Sequence, residues 1–269
     1  MSRLAAKFDA LNSEFRKALV TFITAGDPNM DVTLALMHEL VESGADVIEL
    51  GVPFSDPMAD GSVIQLANER ALANGATMSN VFEVVTRFRS VDSDTPIVLM
   101  GYLNPIEAKG YKHTAQQAAA AGVDGFIVVD APPEESHDLH QALRNQQLDL
   151  IFLIAPNTDE ERIRKICSQA SGFVYYVSLK GVTGAGHLDV DAVREKVTQI
   201  KTITALPIGV GFGISDGAAA ARVAEVGDAV VVGSAIIKRV AERLDDPETI
   251  PAYVGDLVRS MRAAMDEKH

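Results

Sequence analysis

The stretch Glu42-Ser43-Gly44-Ala45-Asp46-Val47-Ile48-Glu49-Leu50-Gly51 carries a helix stop, a short turn and a buried strand in direct succession. Gly44 suits the left-handed end of a helix. Asp46 opens a short turn, and Val47–Leu50 is an apolar run. The same order returns at Ala121-Gly122-Val123-Asp124 and at Val226-Gly227-Asp228.

Working outward, eight short apolar runs stand out: Ala18–Thr24, Asp46–Leu50, Pro96–Gly101, Gly125–Asp130, Leu150–Ala155, Phe173–Val177, Pro207–Gly211 and Ala229–Gly233. Each is rich in Val, Ile, Leu or Phe without strict alternation, as a strand buried on both faces reads. Helical patterns fill the gaps, among them Asp31–Ser43, Ser62–Asn74, His113–Ala121, Pro133–Asn145, Asp159–Ala170, Asp189–Thr202 and Ser215–Val226. Strands alternating with helices make βαβ units and a parallel sheet. Eight units with no linker and no composition break predict an α/β protein, a single (β/α)8 TIM barrel occupying residues 1–269 as one domain. An open doubly wound sheet is the alternative. Its G-x-G-x-x-G pattern is absent, and Gly209-Val210-Gly211-Phe212-Gly213 has the wrong spacing. Two additions to the barrel are expected. Leu4, Phe8, Leu11 and Phe15 recur at helical spacing and predict an extra N-terminal helix. After the second strand lie an enlarged loop, Gly51–Gly61, and two helical stretches.

Composition narrows the function. The 269 residues are 47% hydrophobic and 23% charged, with a net charge of −13. That charge argues against nucleic acid and anionic membranes, and leaves any anionic substrate to local groups. The one cysteine, Cys167, excludes an internal disulfide and reads as a small buried helix residue. The N-terminus has no apolar signal region, and no apolar run approaches the ~18 residues of a membrane span. A cytoplasmic protein is expected.

Barrel active sites lie at the C-terminal ends of the strands. Three glycine clusters fall there: Gly181-Val182-Thr183-Gly184-Ala185-Gly186, Gly211-Phe212-Gly213-Ile214-Ser215 and Gly233-Ser234-Ala235. Glycines let backbone amides approach a ligand, and the helix N-termini behind them favour an anion. Phosphate is therefore expected, with tight turns as the alternative. Gly213-Ile214-Ser215-Asp216-Gly217 also fits a hydrolase nucleophile pattern, but the only later histidine is His269, and Ser215 reads better as a helix N-cap.

Glu49 shares a strand face with Val47, while Ile48 and Leu50 take the other face. With Ile48 and Leu50 against the helices, Glu49 points into the barrel mouth. A carboxylate desolvated there holds its proton more tightly, which suits acid–base chemistry near neutral pH; a structural salt bridge is the alternative. Asp60 stands just before Gly61 and Ser62, where a helix begins, so capping competes with a chemical role. Phe22, Ile64, Met100, Tyr102 and Phe212 fall at or near strand ends, either as a slot for a flat ring or as plain core. No zinc-ligand spacing occurs among the six histidines, so no metal is expected; only His187 lies in an active-face loop. Lys180 leaves a Schiff-base reading open.

The run Glu49-Leu50-Gly51-Val52-Pro53-Phe54-Ser55-Asp56-Pro57-Met58-Ala59-Asp60-Gly61 closely resembles the signature of the tryptophan synthase α subunit family. So do Gly101-Tyr102-Leu103-Asn104-Pro105, Gly181-Val182-Thr183-Gly184, Gly211-Phe212-Gly213-Ile214 and Gly233-Ser234-Ala235, in family order over essentially the whole chain. The resemblance implies a lyase of tryptophan biosynthesis that cleaves indole-3-glycerol phosphate, by a retro-aldol reaction, into indole and glyceraldehyde 3-phosphate. It implies that Glu49 shuttles protons between the indole ring and the glycerol hydroxyl, that Asp60 accepts from the indole N–H, and that Tyr175 stands beside the glutamate. Phe22, Ile64, Met100, Tyr102, Thr183 and Phe212 would line the substrate pocket, and Gly184, Gly213, Gly233 and Ser234 would hold the phosphate. The family works with a β subunit in an α2β2 complex. That partner carries pyridoxal phosphate, and the α chain itself needs no cofactor. The loops bearing Pro53, Asp56 and Pro57, and Asn104 and Pro105, would face it. Many members have Arg where Leu179 stands, and Met100 replaces a common leucine. A stand-alone lyase releasing free indole and a non-catalytic activator of a β-type partner are the rival readings. The loops around Asp60 and over 178–187 are expected to be loose until a partner packs on them.

Overall fold

A computed structural model describes residues 2–177, 190–211 and 213–267. The chain opens with α1 (Arg3–Ser13), then β1 (Ala18–Thr24), α2 (Met30–Glu42) and β2 (Val47–Gly51). Two helices, α3 (Ser62–Ala73) and α4 (Met78–Arg89), precede β3 (Ile97–Gly101). Two more, α5 (Leu103–Lys109) and α6 (Tyr111–Ala121), precede β4 (Gly125–Val128). There follow α7 (His137–Arg144), β5 (Asp149–Ile151), β6 (Leu153–Ile154), α8 (Glu160–Gln169), β7 (Val174–Val177), α9 (Val190–Lys201), β8 (Ile208–Gly211), α10 (Gly217–Ala224), β9 (Ala229–Val232), α11 (Ser234–Ala241) and α12 (Ile250–Asp266).

The strands form one parallel sheet in the order β5-β4-β3-β2-β1-β9-β8-β7-β6. Its two ends, β5 and β6, are separated in the chain only by Phe152, so they are halves of one interrupted passage. The sheet therefore curls into a nearly closed (β/α)8 barrel, as the alternating pattern predicts.

Strand parity sorts the core into two layers. Ile48, Leu50, Ile97 and Leu99 face outward into the large cluster shared with the helices. Val20, Val47, Val98, Ile127, Ile151 and Val231 face inward. The expected N-terminal helix plugs the bottom of this inner layer with Leu4, Phe8 and Leu11. Phe15 does not join them. The helix ends at Ser13, and Phe15 takes a left-handed φ of 56° with its ring in solvent.

The three repeated turns share a device that spacing alone does not reveal. Asp46, Asp124 and Asp228 each accept the backbone N–H of a neighbouring strand, at Leu19, Ile97 and Ile208. Each also meets a cation, namely Arg262, Arg89 and Lys201. Charge-assisted bonds of this kind pin the strand starts and leave the opposite end free for a site. Gly44 and Gly122 do take the left-handed φ of a helix stop, at 102° and 93°. Gly227 does not; its place depends on space, since a Cβ there would lie 2.9 Å from the Val210 side chain.

Candidate active site

Register places Glu49 in the middle of β2, between Phe22 of β1 and Val98 of β3, on the inward face of the barrel. The residue is 1% exposed, and its Oε2 has no hydrogen-bond partner among the described residues. A buried charge without a donor is expensive, so the group keeps its proton instead. Burial first, and the nearby Asp60 carboxylate second, raise the Glu49 pKa to about 8. The structure shows no salt bridge to this side chain among the described residues.

Asp60 lies on the loop between β2 and α3. It does not cap α3: Gly61 is the N-cap, and no side chain closes that helix end. Instead Asp60 is gripped from several sides. Its N–H donates to Pro57 O at 3.0 Å, Gln65 Nε2 donates to its carbonyl at 2.8 Å, and Asn68 Nδ2 donates to its Oδ2 at 3.3 Å. Tyr102 props the same loop. Its hydroxyl accepts the Ala59 N–H at 3.0 Å, and its ring lies 5.1 Å from that of Phe54. These bonds tie the loop at Asp60 to α3 and to Tyr102. Burial raises the Asp60 pKa to about 6, against the opposing pull of the Tyr102 hydroxyl and the Asn68 amide.

Tyr175, on β7, is buried beside Glu49. Burial, and then the Glu49 charge, keep its phenol protonated far above neutral pH. The ring has room because position 211 is glycine, where a Cβ would overlap the tyrosine ring.

Phe22, Ile64, Met100 and Tyr102 do meet around one cavity, with Asp60 on its wall. Val52, Asn68 and Val129 also line it, with Gly51 and Gly101, and sequence pattern alone points to none of those three side chains. The cavity measures about 10 Å³, roughly one water. A flat ring enters only when these side chains part. Thr183, Gly184 and Phe212 lie outside the described residues, as do Leu179, Lys180 and His187.

Across the mouth, Gly213 holds a left-handed φ of 74°. Gly233 is the N-cap of α11, Ser234 is its first residue and is exposed, and no side chain caps that helix. The first amides of a helix lack internal acceptors and favour an anion. The neighbouring α10 differs. Its N-cap is Asp216, whose carboxylate takes the Ala219 N–H at 2.9 Å. This corrects the expectation for Ser215, whose hydroxyl bonds Asp216 instead.

On the loop before α3, Pro53 is buried, Pro57 is half-buried, Asp56 is exposed and Met58 is 84% exposed. Asn104 and Pro105 sit in α5 and not in a loop, and Asp130 holds its start by accepting the Leu103 N–H at 2.8 Å. Among the described residues no group of three or more His, Cys, Asp or Glu is placed to hold a metal ion, and no helix is long and apolar enough to cross a membrane.

A barrel with a proton-holding carboxylate on one strand, a second carboxylate on the next loop and an uncapped helix start two strands away carries the groups for acid–base chemistry on an anion. A family model described as tryptophan synthase alpha chain matches residues 8–266. The tryptophan synthase alpha chain of Thioalkalivibrio sulfidiphilus is 60% identical over 266 residues, covering 99% of this chain and 100% of that protein. The crystal structure of tryptophan synthase subunit alpha from Legionella pneumophila superposes with a TM-score of 0.93 at 44% identity, covering 100% of both chains. A chain of the tryptophan synthase complex from Pyrococcus furiosus matches at a TM-score of 0.82 and 36% identity, over 92% of this chain and 99% of that one. The chain belongs to the tryptophan synthase alpha chain family. It is a lyase of tryptophan biosynthesis that cleaves indole-3-glycerol phosphate to indole and glyceraldehyde 3-phosphate by a retro-aldol reaction.

Proposed function

We propose that Glu49 is both the general acid and the general base of this cleavage. The observation that carries the reading is its burial, with Oε2 unpartnered among the described residues and the pKa raised to about 8. Near neutral pH the protonated carboxyl gives its proton to the ring carbon that bears the glycerol chain. The resulting carboxylate takes the proton of the adjacent hydroxyl. The carbon–carbon bond breaks, its electron pair returns to the ring, and the hydroxyl carbon becomes the aldehyde. The proton count is unchanged, so one group suffices. Asp60, lower in pKa and ionised at pH 7, accepts the ring N–H and offsets the positive charge of the protonated ring. Tyr175 packs beside Glu49 and helps keep it dry.

Phe22, Ile64, Met100 and Tyr102, with Thr183 and Phe212, form the ring slot in this reading. Gly213, Gly233 and Ser234, with Gly184, take the phosphate; the uncapped start of α11 supports that assignment. A tryptophan synthase β subunit, in an α2β2 complex, is the partner. It meets the face bearing Pro53, Asp56, Pro57, Asn104 and Pro105, where the exposed Met58 supports an interface. Pyridoxal phosphate belongs to that partner, and this chain uses no cofactor. The setting in this reading is cytoplasmic, and a net charge of −13 supports a chain that binds neither nucleic acid nor anionic membrane.

The test is Glu49→Gln. Cleavage should fall roughly 10²- to 10⁴-fold, the usual worth of a proton-transfer group, while glycerol phosphate binds by calorimetry as before. A variant that keeps most of its rate would remove Glu49 from the chemistry.

A further inference from the structure

We propose that Asn68 is a positioning residue for the cleavage: its side-chain amide, fixed on α3, holds Oδ2 of Asp60 so that the other oxygen meets the ring N–H. The inference rests on the reading of Asp60 given above.

The physical basis starts with the helix. α3 runs Ser-Val-Ile-Gln-Leu-Ala-Asn-Glu-Arg-Ala-Leu-Ala, and its inner face is Ala67, Asn68 and Ala71. An asparagine 5% exposed between two alanines needs a partner to offset its burial. Its amide finds Asp60 Oδ2 at 3.3 Å, and its side chain lines the cavity. One turn earlier, Gln65 holds the Asp60 carbonyl. The two amides therefore fix both the backbone and the carboxylate of a residue that the loop alone would leave free to rotate. The helix is itself anchored, since Arg70 makes a bidentate pair with buried Asp27 at 2.8 Å for both bonds. Asn68 thus transmits a rigid frame to a group carried on a loop.

Asn68 has a second effect, electrostatic in origin. The titratable groups facing Asp60 are Glu49 from β2 and Tyr102 at the start of α5. Glu49 titrates at about 8 and Tyr102 far above neutral pH, so neither charge supports an ionised Asp60 at pH 7. The hydrogen bonds from Tyr102 and Asn68 do, opposing burial. Removing the amide should shift Asp60 toward its protonated form.

Asn68→Leu keeps the branching of the side chain, at a larger volume, and deletes the donor. Expected are a kcat lower by on the order of 10- to 100-fold, the usual loss for a hydrogen bond to a charged group, and little change in the Kd for glycerol phosphate. The acid limb of kcat/KM that Asp60 sets, expected near pH 6 in the native enzyme, should move to higher pH. A merely structural residue would not move that limb, so an unmoved limb or an unchanged kcat overturns the proposal. Should the leucine variant fail to fold, Asn68→Ala takes its place: the same fall in kcat and the same shift of the limb support the proposal, and the absence of either overturns it. Asp60→Asn separates the two ideas. If it abolishes cleavage while Asn68→Leu leaves rate and limb intact, only the role of Asn68 falls. If Asp60→Asn cleaves at the native rate, the reading of Asp60 falls with it.

Discussion

Replacing Glu49 by Gln should make the protein more resistant to alkaline pH, and the size of the effect follows from burial. In the unfolded chain a glutamate ionises near 4.5, whereas in the folded barrel Glu49 ionises at about 8. A raised acid pKa means that the folded state binds a proton the unfolded state has already lost. Stability from this group is therefore complete below pH 4.5 and is lost steadily as pH rises to about 8. Each pKa unit corresponds to about 1.36 kcal/mol, so the full loss approaches about 5 kcal/mol. That is a large share of the ~5–15 kcal/mol that ordinarily separates folded from unfolded chains. Gln has nearly the same shape and no charge at any pH, so it carries none of this dependence. The assay is urea unfolding followed by circular dichroism at pH 5 and pH 8.5, for both proteins. The quantity read is the variant's advantage over the native chain, which cancels the titrating groups that do not sense Glu49. It should grow by several kcal/mol between the two pH values. An advantage that stays constant would mean that Glu49 ionises normally in the barrel, and the proton-holding role would fail with it.

Three further outcomes follow from the same geometry. Asp60→Asn removes the nearby like charge, so the Glu49 pKa should drop below about 8; a pH titration of Glu49 followed by carboxyl-selective NMR checks this, and an unmoved value would mean that the two groups do not sense each other. Gly213→Asp puts a side chain on a left-handed backbone and a carboxylate beside the α11 start, so glycerol phosphate binding, measured by calorimetry, should vanish while the circular dichroism spectrum stays native. Met58→Asp should weaken association with a tryptophan synthase β subunit by at least 10-fold in Kd without altering the chain's own stability, because Met58 is 84% exposed in the chain alone; equal affinities would put the interface elsewhere.

What is legible in the sequence follows from strand parity and turn chemistry. Period two alone sends Glu49 inward, because Ile48 and Leu50 need the helices. Cavity residues on strand ends, Phe22, Met100 and Tyr102, inherit their place from the barrel itself. Asn68 cannot be found that way. On a helix that also carries Ser62, Gln65, Glu69 and Arg70, one asparagine reads like any other polar residue, and only the fold of the loop shows what it touches. Asn104 and Pro105 read as a loop because proline breaks helices. Yet Pro105 occupies the first turn of α5, where a missing N–H costs nothing. Ser215 and Asp216 are both good caps, and only the path of the backbone decides between them. The closing helix α12 escapes the pattern because it follows the last strand and belongs to no βαβ unit, although it packs on α2 and α10 and supplies Arg262 to Asp46.

In the proposed mechanism, the two carboxylates of the mouth owe their different duties to where the chain carries them. A residue in the middle of a parallel strand has its backbone bonded to both neighbours, so its side chain reaches the barrel interior with no backbone donor to spare. Glu49 is such a residue, and burial, with Oε2 unpartnered among the described residues, leaves it holding a proton at pH 7. A residue on a loop can be met by side chains from several elements. Asp60 receives Asn68 from α3 and lies beside Tyr102 from the start of α5, and its pKa stays about two units lower. At neutral pH the pair is thus one acid and one anion, the combination that a ring needing both a proton and a counter-charge requires. Exchanging their types would not exchange their duties, since a glutamate at position 60 would still be loop-held and ionised. Asp60→Glu should therefore lose rate by displacing the carboxylate by about one methylene, and the pH at which cleavage is fastest should stay where it is. A pH–rate profile of that variant reads both quantities, and an optimum displaced along with the rate would show that side-chain type, and not placement, sets the proton affinities.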